Sequence, residues 1–496
     1  VGYLPTVNAP ATNMSTVYQV LLKSNQIKET LSLQSLVLVF DQALYAKACE
    51  IKWKHCNLFN GLVLRMGMFH TICMFLSVIG KRFHDAGLRD VCIESGVIAE
   101  GSVSGVLEGK KYNRSLRFHK LMFEALKRLS MMEFQSWILE HHKKKKVKVD
   151  EFYEEIKVLC HETCEKEYQA LMEKPHSKEV LKLFSLYMLN LRQSNGTLSA
   201  FWMSYLDMFE ILLALIRASR EGNWELHLSA LREIVPWCFS YDNQNYARYL
   251  SAYIHEMSHL PTEHPDVHKY MSEGGLSVQI GNNNPFGRIP VDQTCEETVN
   301  KDTQTSGGTK GFSLKPNAVT KFYLLAEYRS TFLRQLKDML KMSTSSSQHN
   351  DLQPSRISRD EADVKSIVSL LQNTRLNPFN PDLQDLVCLS TGKVATPEVE
   401  HDLVHAKEIG EEAYKVFHDQ RLNCDPPKVK FHETMTKLKL KTFKDLNKQV
   451  SVRTGKNQEI ILKADRRLFA QMIIIAESRD LQMKDVLSHP LGPLPW

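Results

Sequence analysis

Two short apolar runs stand out from a chain that otherwise repeats with a helical period. "LVLVF" (Leu36–Phe40) is β-branched, ends in Asp41, and gives way to "QALYAKACEIKWKH", in which Tyr45, Cys49 and Trp53 recur on one side. This predicts a buried strand running straight into an amphipathic helix. The motif recurs in "GLVLRMGMFHTICMFLSVIGKRF", which predicts a strand over Leu62–Met66 and a helix from about Phe69. Helical spacing then dominates. It runs through "NRSLRFHKLMFEALKRLSMMEFQSWILEHH", residues 150–173 and 179–193, "SAFWMSYLDMFEILLALIRASREG" and "WELHLSALREIVPWCF".

After Tyr270 the pattern breaks. "EGGLSVQIGNNNPFGRIPVDQTCEETVNKDTQTSGGTKGF" is rich in Gly, Asn and Pro and holds one acidic helical patch. A helix is expected over 317–341, and "MSTSSSQHNDLQPSRISRD" reads as a linker. The expected fold is α/β and helix-dominated. Residues 1–135 form an N-terminal α/β half, 136–270 a helical insertion with its own apolar core, and 271–345 a return segment with the acidic helix. Residues 346–430 hold a linker and a helical segment, and 431–496 a basic, α-rich C-terminal segment.

Composition narrows the class only modestly. The 496 residues are 43% hydrophobic and 24% charged, with net charge +6, an ordinary globular balance. A mildly basic chain permits a DNA partner without requiring one. Ten scattered cysteines without a short-period framework point to a reduced, intracellular setting, nuclear or cytoplasmic. Uninterrupted apolar runs such as "LVLVF" and "QMIIIA" are far too short to cross a bilayer, so no membrane partner is expected, and no signal peptide is visible. The chain starts at Val1 and ends in "HPLGPLPW", so both ends are expected to be cut from something longer.

"YIHEMSHLPTEHPDVHKY" contains His255, Glu256 and His259 in the HExxH spacing of zinc peptidases. There two histidines one helical turn apart hold zinc and the glutamate acts as general base. Glu263, His264 or His268 offers a third ligand. In a chain with 19 histidines such a pattern arises by chance roughly once in twenty sequences. Pro261 should end the helix near His259. The longer metzincin pattern fails at Thr262 and Pro265. A solvent-facing helix end is therefore the expectation, with a zinc metallopeptidase as the weakest alternative.

Cys160 with Cys164, and His70 with Cys73, each have the spacing of half a zinc site, but core cysteines are the blander reading. Lys143, Lys144, Lys145 and Lys146 form the one dense basic run. It is a candidate for phosphate contacts, or more simply a solvated joint between helices, and it lacks interleaved aromatics. No Walker loop and no GxSxG elbow occurs. Asp41, closing a buried strand, and the late acids Asp292, Glu296, Glu297 and Asp302 form the more informative set. Two-metal phosphodiester chemistry draws carboxylates from distant segments onto Mg²⁺, although acids at strand ends and helix starts are common without any such role.

"VFDQALYAKACEIKWKH", "RMGMFHTICMFLSVIGKRFHDAGLRDVCIESGVIAEGSV", "NYARYL" and "NPFGRIPVDQTCEETVNKDTQTSGGTKGFSLK" together resemble a multi-copy, mobile-element-associated family of uncharacterised proteins from aquatic animal genomes. The order of strand–Asp, strand–helix, helices and a late Glu-bearing helix is similar to RNase H-fold transposases with a helical insertion. That resemblance implies an RNase H-like mixed-sheet core, DNA binding or processing, Mg²⁺, and catalytic roles for Asp41 and for Glu296 or Glu297. Asp41 and Glu297 would be metal ligands. A first catalytic acid would lie before Val1, so an incomplete or degenerate enzyme is expected. Relatives resemble a PIN- or FEN-type nuclease domain beyond the last residues. A non-enzymatic helical interaction scaffold is the competing expectation.

Overall fold

The structure is a computed structural model. It describes residues 7, 9–161, 165–193, 196–280, 284, 286–300, 315–340, 353–373, 376–446, 451–453 and 459–461. Asp302, Cys164 and most of the expected C-terminal nuclease-like start lie outside the described residues, as does any side-chain account of Cys160. Helices dominate, with a parallel strand pair near the start.

In chain order the chain forms α1 (Met14–Thr30), β1 (Leu36–Phe40), α2 (Gln42–Lys54), β2 (Leu62–Met66), α3 (Met68–Phe83), α4 (Leu88–Glu94) and α5 (Glu100–Leu107). The long α6 (Tyr112–His141) is followed by α7 (Lys146–His161), α8 (Glu165–Glu173), α9 (Pro175–Gln193), α10 (Thr197–Glu221), α11 (Trp224–Ser240), α12 (Gln244–Glu263) and α13 (Pro265–Tyr270). A small antiparallel pair, β3 (Val278–Gln279) and β4 (Arg288–Ile289), leads to α14 (Val291–Thr294). A π-turn over Cys295–Asn300 continues α14. Then come α15 (Pro316–Leu324), α16 (Ala326–Met339), α17 (Pro354–Asn373), α18 (Pro397–Val404), α19 (Ala406–Arg421), α20 (Phe443–Leu446) and the hairpin β5 (Ser451–Arg453) and β6 (Glu459–Ile461).

The chain divides into two compact units. The first comprises Val1–Phe75, Ile211–Gln353 and Lys407–Lys439, and the second Leu76–Glu210, Pro354–Ala406 and Leu440–Trp496.

In the first unit β1 and β2 pair in parallel, Phe40 opposite Met66, with α2 as the crossover. Every residue of β2 is buried, including Arg65, which donates to the Leu276 carbonyl at 3.1 Å. β1 is half-buried along its length. Helices α2 and α12 pack on β2, α1 packs on α2, and α14 packs on β1. The inner face of α2 buries Tyr45, Ala48 and Cys49, and Tyr45 meets Tyr249 and Tyr253 of α12 edge-on at 6.3 and 6.1 Å. Burying each such aromatic contributes about 1.5–3 kcal/mol.

In the second unit, α6 lies along α17 and against α5. Phe83 packs on Phe201 at 4.7 Å and Trp202 at 5.2 Å, and the buried His119 stacks between Tyr205 and Phe209. Arg117 pairs with Asp360 and Asp363, and Arg128 reaches Glu361 at 2.7 Å, so ion pairs rim the α6–α17 seam.

Two sequence expectations change. Pro261 does not end α12, which runs on to Glu263. A proline in the last turn forfeits one backbone hydrogen bond, and a helix one turn from its end absorbs that loss. The linker expected around residues 342–360 is helical from Pro354. There Pro sits where a helix needs no N–H, and Val364, Ile367, Val368 and Leu371 give α17 an apolar face.

Candidate functional site at the carboxyl ends of the parallel strands

The first unit gathers its acids where β1 and β2 end. Asp41 follows β1 and caps α2, its Oδ1 accepting from Leu44 N at 2.8 Å. Gly67 follows β2 and donates to the Phe40 carbonyl at 2.7 Å, so the two strand ends stay in register. The chain returns to this mouth with α14. Asp292 Oδ1 accepts from Phe69 N at 3.2 Å and Oδ2 from His70 N at 3.1 Å. Asp292 thus caps α3 from 222 positions away, where a carboxylate complements the helix dipole. Only a glycine leaves it room, because a Cβ on Gly67 would stand 2.4 Å from Asp292 Oδ2.

The same Oδ2 lies 3.0 Å from His70 Nδ1. A carboxylate only accepts, so this ring nitrogen carries the proton. Nε2 faces Glu296 Oε1 at 3.9 Å. Asp292 is nearly covered, with 9% of its side chain exposed, against 32% for His70 and 39% for Glu296. The hydrogen bond to Asp292 raises the pKa of His70 above its ordinary value, and the charges of Asp292, Glu296 and Asp41 act in the same direction against partial burial. One turn along, burial pushes the Cys73 thiol up to about 12, helped by Asp292, Glu297 and Glu296. The Tyr246 hydroxyl closes the site against the His70 carbonyl at 3.4 Å, and burial pushes its pKa up too.

The structure therefore brings Asp41, Glu296 and Glu297 into electrostatic reach of one His70–Cys73 turn. Asp292 was visible in sequence only as one acid among several, and His70 only as half of a zinc pair. The local signal was the small residue after β2, which frees the start of α3 for a distant carboxylate. The donor set is oxygen-rich and suits a hard divalent cation better than zinc. As the side chains stand, no group of three or more His, Cys, Asp or Glu among the described residues is arranged to hold a metal ion.

The HEMSH segment lies elsewhere on the first unit. The rings of His255 and His259 are 4.9 Å apart, and His418 of α19 stands 5.6 Å from His255. His259 Nδ1 lies 2.9 Å from the His255 carbonyl. Glu256 accepts from Trp53 Nε1 at 2.9 Å, and burial raises its pKa. His264 turns toward Ser35 Oγ at 3.2 Å. In the second unit, Lys143, Lys144 and Lys145 form a single 3₁₀ turn, Lys146 opens α7, and Lys145 is paired with Glu179 at 3.1 Å.

The chain matches the model of the family described as Domain of unknown function (DUF8702) over residues 1–490, and it belongs to that family. No curated protein and no solved structure matches it.

Proposed function

We propose that this DUF8702 chain is a transposase-like DNA-binding or DNA-processing protein whose site is the acidic mouth of the β1–β2 pair. The observation that supports it is the convergence on His70 of carboxylates from two distant segments, Asp41 at the end of β1 and Asp292 and Glu296 beyond residue 290. On this reading β1, α2, β2 and α3 belong to an RNase H-like core on which α12 packs, and the long chain between α3 and α14 is an insertion whose closure cost grows only slowly with length.

Asp41, Glu296 and Glu297 would hold Mg²⁺ only after turning toward one another from their present positions. Asp292 is the weaker candidate, because both its oxygens already serve the start of α3. Bound there, a divalent cation would supply charge neutralisation at a scissile phosphodiester. The chain's own contribution is proton handling: Asp292 fixes the His70 ring and leaves Nε2, turned toward Glu296, as the atom that takes up or releases a proton.

The competing reading is a helical scaffold without chemistry. The capping roles of Asp41 and Asp292 favour it, since each has a structural task. Calorimetric titration with Mn²⁺ and a nicking assay on supercoiled DNA decide between them. The transposase-like reading expects Mn²⁺ binding weakened tenfold or more by Glu296→Gln with Glu297→Gln, and metal-dependent nicking would identify DNA processing rather than DNA binding alone. No Mn²⁺ binding by the parent chain, or unchanged binding in that double variant, would leave the scaffold.

A further inference from the structure

The sequence contains two short basic-aromatic runs, "KWKH" at 52–55 and "KVKFH" at 428–432. In the first unit they meet. Trp53, at the carboxyl end of α2, packs edge-on against Phe431 with ring centroids 4.8 Å apart, and His432 lies 6.3 Å away. Phe431 also touches Tyr249 of α12 at 5.6 Å, which seats the segment across α2 and α12. Arg248 and Arg421 pin its backbone by donating to the Glu433 carbonyl at 2.8 Å each. Trp53 nevertheless keeps 38% of its surface exposed. Its indole nitrogen is held by Glu256, so the ring is fixed without being covered.

In the two runs that meet here, Lys54, His55, Lys428, Lys430 and His432 are exposed and Lys52 is half-buried. The acids in reach are Glu50, Glu256 and, acting on Glu256, the exposed Glu263. Glu50 pairs with Lys54 at 2.7 Å, and Glu256 serves Trp53. Glu433 is exposed, and its charge acts on Arg421. Lys428 and Lys430 are exposed beside an anchored, part-exposed aromatic, while Lys54 faces Glu50 and Lys52 acts on Glu256.

We propose that this patch is a binding platform for single-stranded nucleic acid, with a base stacked on Trp53 and phosphates neutralised by Lys52, Lys54, Lys428 and Lys430. An exposed aromatic attracts any base through its π-face, and a lysine rim tracks the backbone without reading sequence. A duplex keeps its bases stacked and can offer this patch only phosphates. The inference deepens the nucleic-acid reading above and takes its partner class from it. Helix α2 links the two sites: Asp41 caps its start and Trp53 lies near its end, about 18 Å apart at the helical rise. A strand several nucleotides long would touch both.

The test is fluorescence anisotropy of a labelled oligothymidylate with the full chain in EDTA, at several salt concentrations. EDTA removes any role for a divalent cation, so binding here is scored separately from metal-dependent nicking. The expected result is binding at low salt that weakens roughly tenfold or more in Trp53→Ala and stays within about threefold in Trp53→Phe, which keeps a stacking face. Lys428→Gln with Lys430→Gln should lower the slope of log affinity against log salt by about 0.7 per lysine. Thermal melts of each variant exclude unfolding as the cause. No binding by the parent chain at low salt, equal loss in Trp53→Phe and Trp53→Ala, or a lysine pair that leaves the slope unchanged would each overturn the proposal. So would a duplex of the same length binding as tightly as the single strand.

Discussion

His70 and Asp292 meet through a 3.0 Å contact between Nδ1 and Oδ2 across 222 positions of the chain. The same carboxylate accepts the first N–H groups of α3, so one side chain ties the late acidic segment to the carboxyl end of β2. Whatever the site does, this pair sets its geometry and its charge.

Replacing Asp292 with Asn tests that relationship. Asn keeps one acceptor oxygen for the start of α3 but loses the negative charge and the second acceptor. The His70 pKa, raised in the folded chain by this partner, should fall, as read by an NMR titration of the ring protons. The sign for stability follows. A raised folded pKa stabilises fully below the unfolded value of about 6.5, and that contribution is lost as pH rises through the folded pKa. The parent's advantage in melting temperature over the Asn variant should therefore be larger at pH 6 than at pH 8.5. An advantage that does not change with pH would contradict the assignment.

His119 carries the opposite sign. It is fully buried between Tyr205 and Phe209, with Nδ1 2.7 Å from the Tyr205 hydroxyl, and burial lowers its pKa from 6.5 to about 3. Between those values the unfolded chain binds a proton that the folded chain refuses, so stability falls as pH falls. From pH 6.5 to 4.5 the loss is about 2–3 kcal/mol from this residue alone. His119→Phe keeps the stack and removes the titration. Urea unfolding at the two pH values should show the variant losing less on acidification, by about that amount.

At the HEMSH segment the expected outcome is no stoichiometric zinc. Glu256 is anchored by Trp53 and the His259 ring is turned to the His255 carbonyl, so neither is arranged for a metal-bound water. Elemental analysis of dialysed protein should return well below one zinc per chain, unchanged by His259→Ala. One equivalent, lost in that variant, would reinstate the peptidase reading and make His418 the third ligand to examine.

Much of this architecture follows from local pattern. The apolar runs at Leu36–Phe40 and Leu62–Met66 and the helices after them are encoded within a few residues of one another, and Asp41 is a helix cap as well as a strand end. The reach of Asp292 to His70 is not local, and no spacing rule connects them. Pro261 misled because the rule that proline breaks helices concerns interiors, and it sits in the last turn of α12. Ser, Asn and Pro around residue 350 masked the start of α17, whose apolar face appears only from Val364 onward. The meeting of Trp53 with Phe431 needed a fold to bring two unremarkable basic runs onto one edge.

The tightest constraint at the site is Gly67. Its Cα lies where β2 hands over to α3, and a methyl there would stand 2.4 Å from Asp292 Oδ2, 2.9 Å from its Cγ and 3.1 Å from the Phe40 carbonyl oxygen. The first two contacts are closer than packed atoms tolerate, so something must move. The Phe40 carbonyl belongs to β1 and is held by Gly67 N, so the Asp292 side chain yields. Displaced, it leaves two α3 N–H groups without their acceptor and His70 without the partner that raises its pKa. Gly67→Ala should therefore cost about 1–3 kcal/mol and lower the His70 pKa, although it changes no ionisable group. Combining it with Asp292→Asn should cost less than the sum of the two, because both break the same contact. Additive losses would mean that Gly67 and Asp292 act independently.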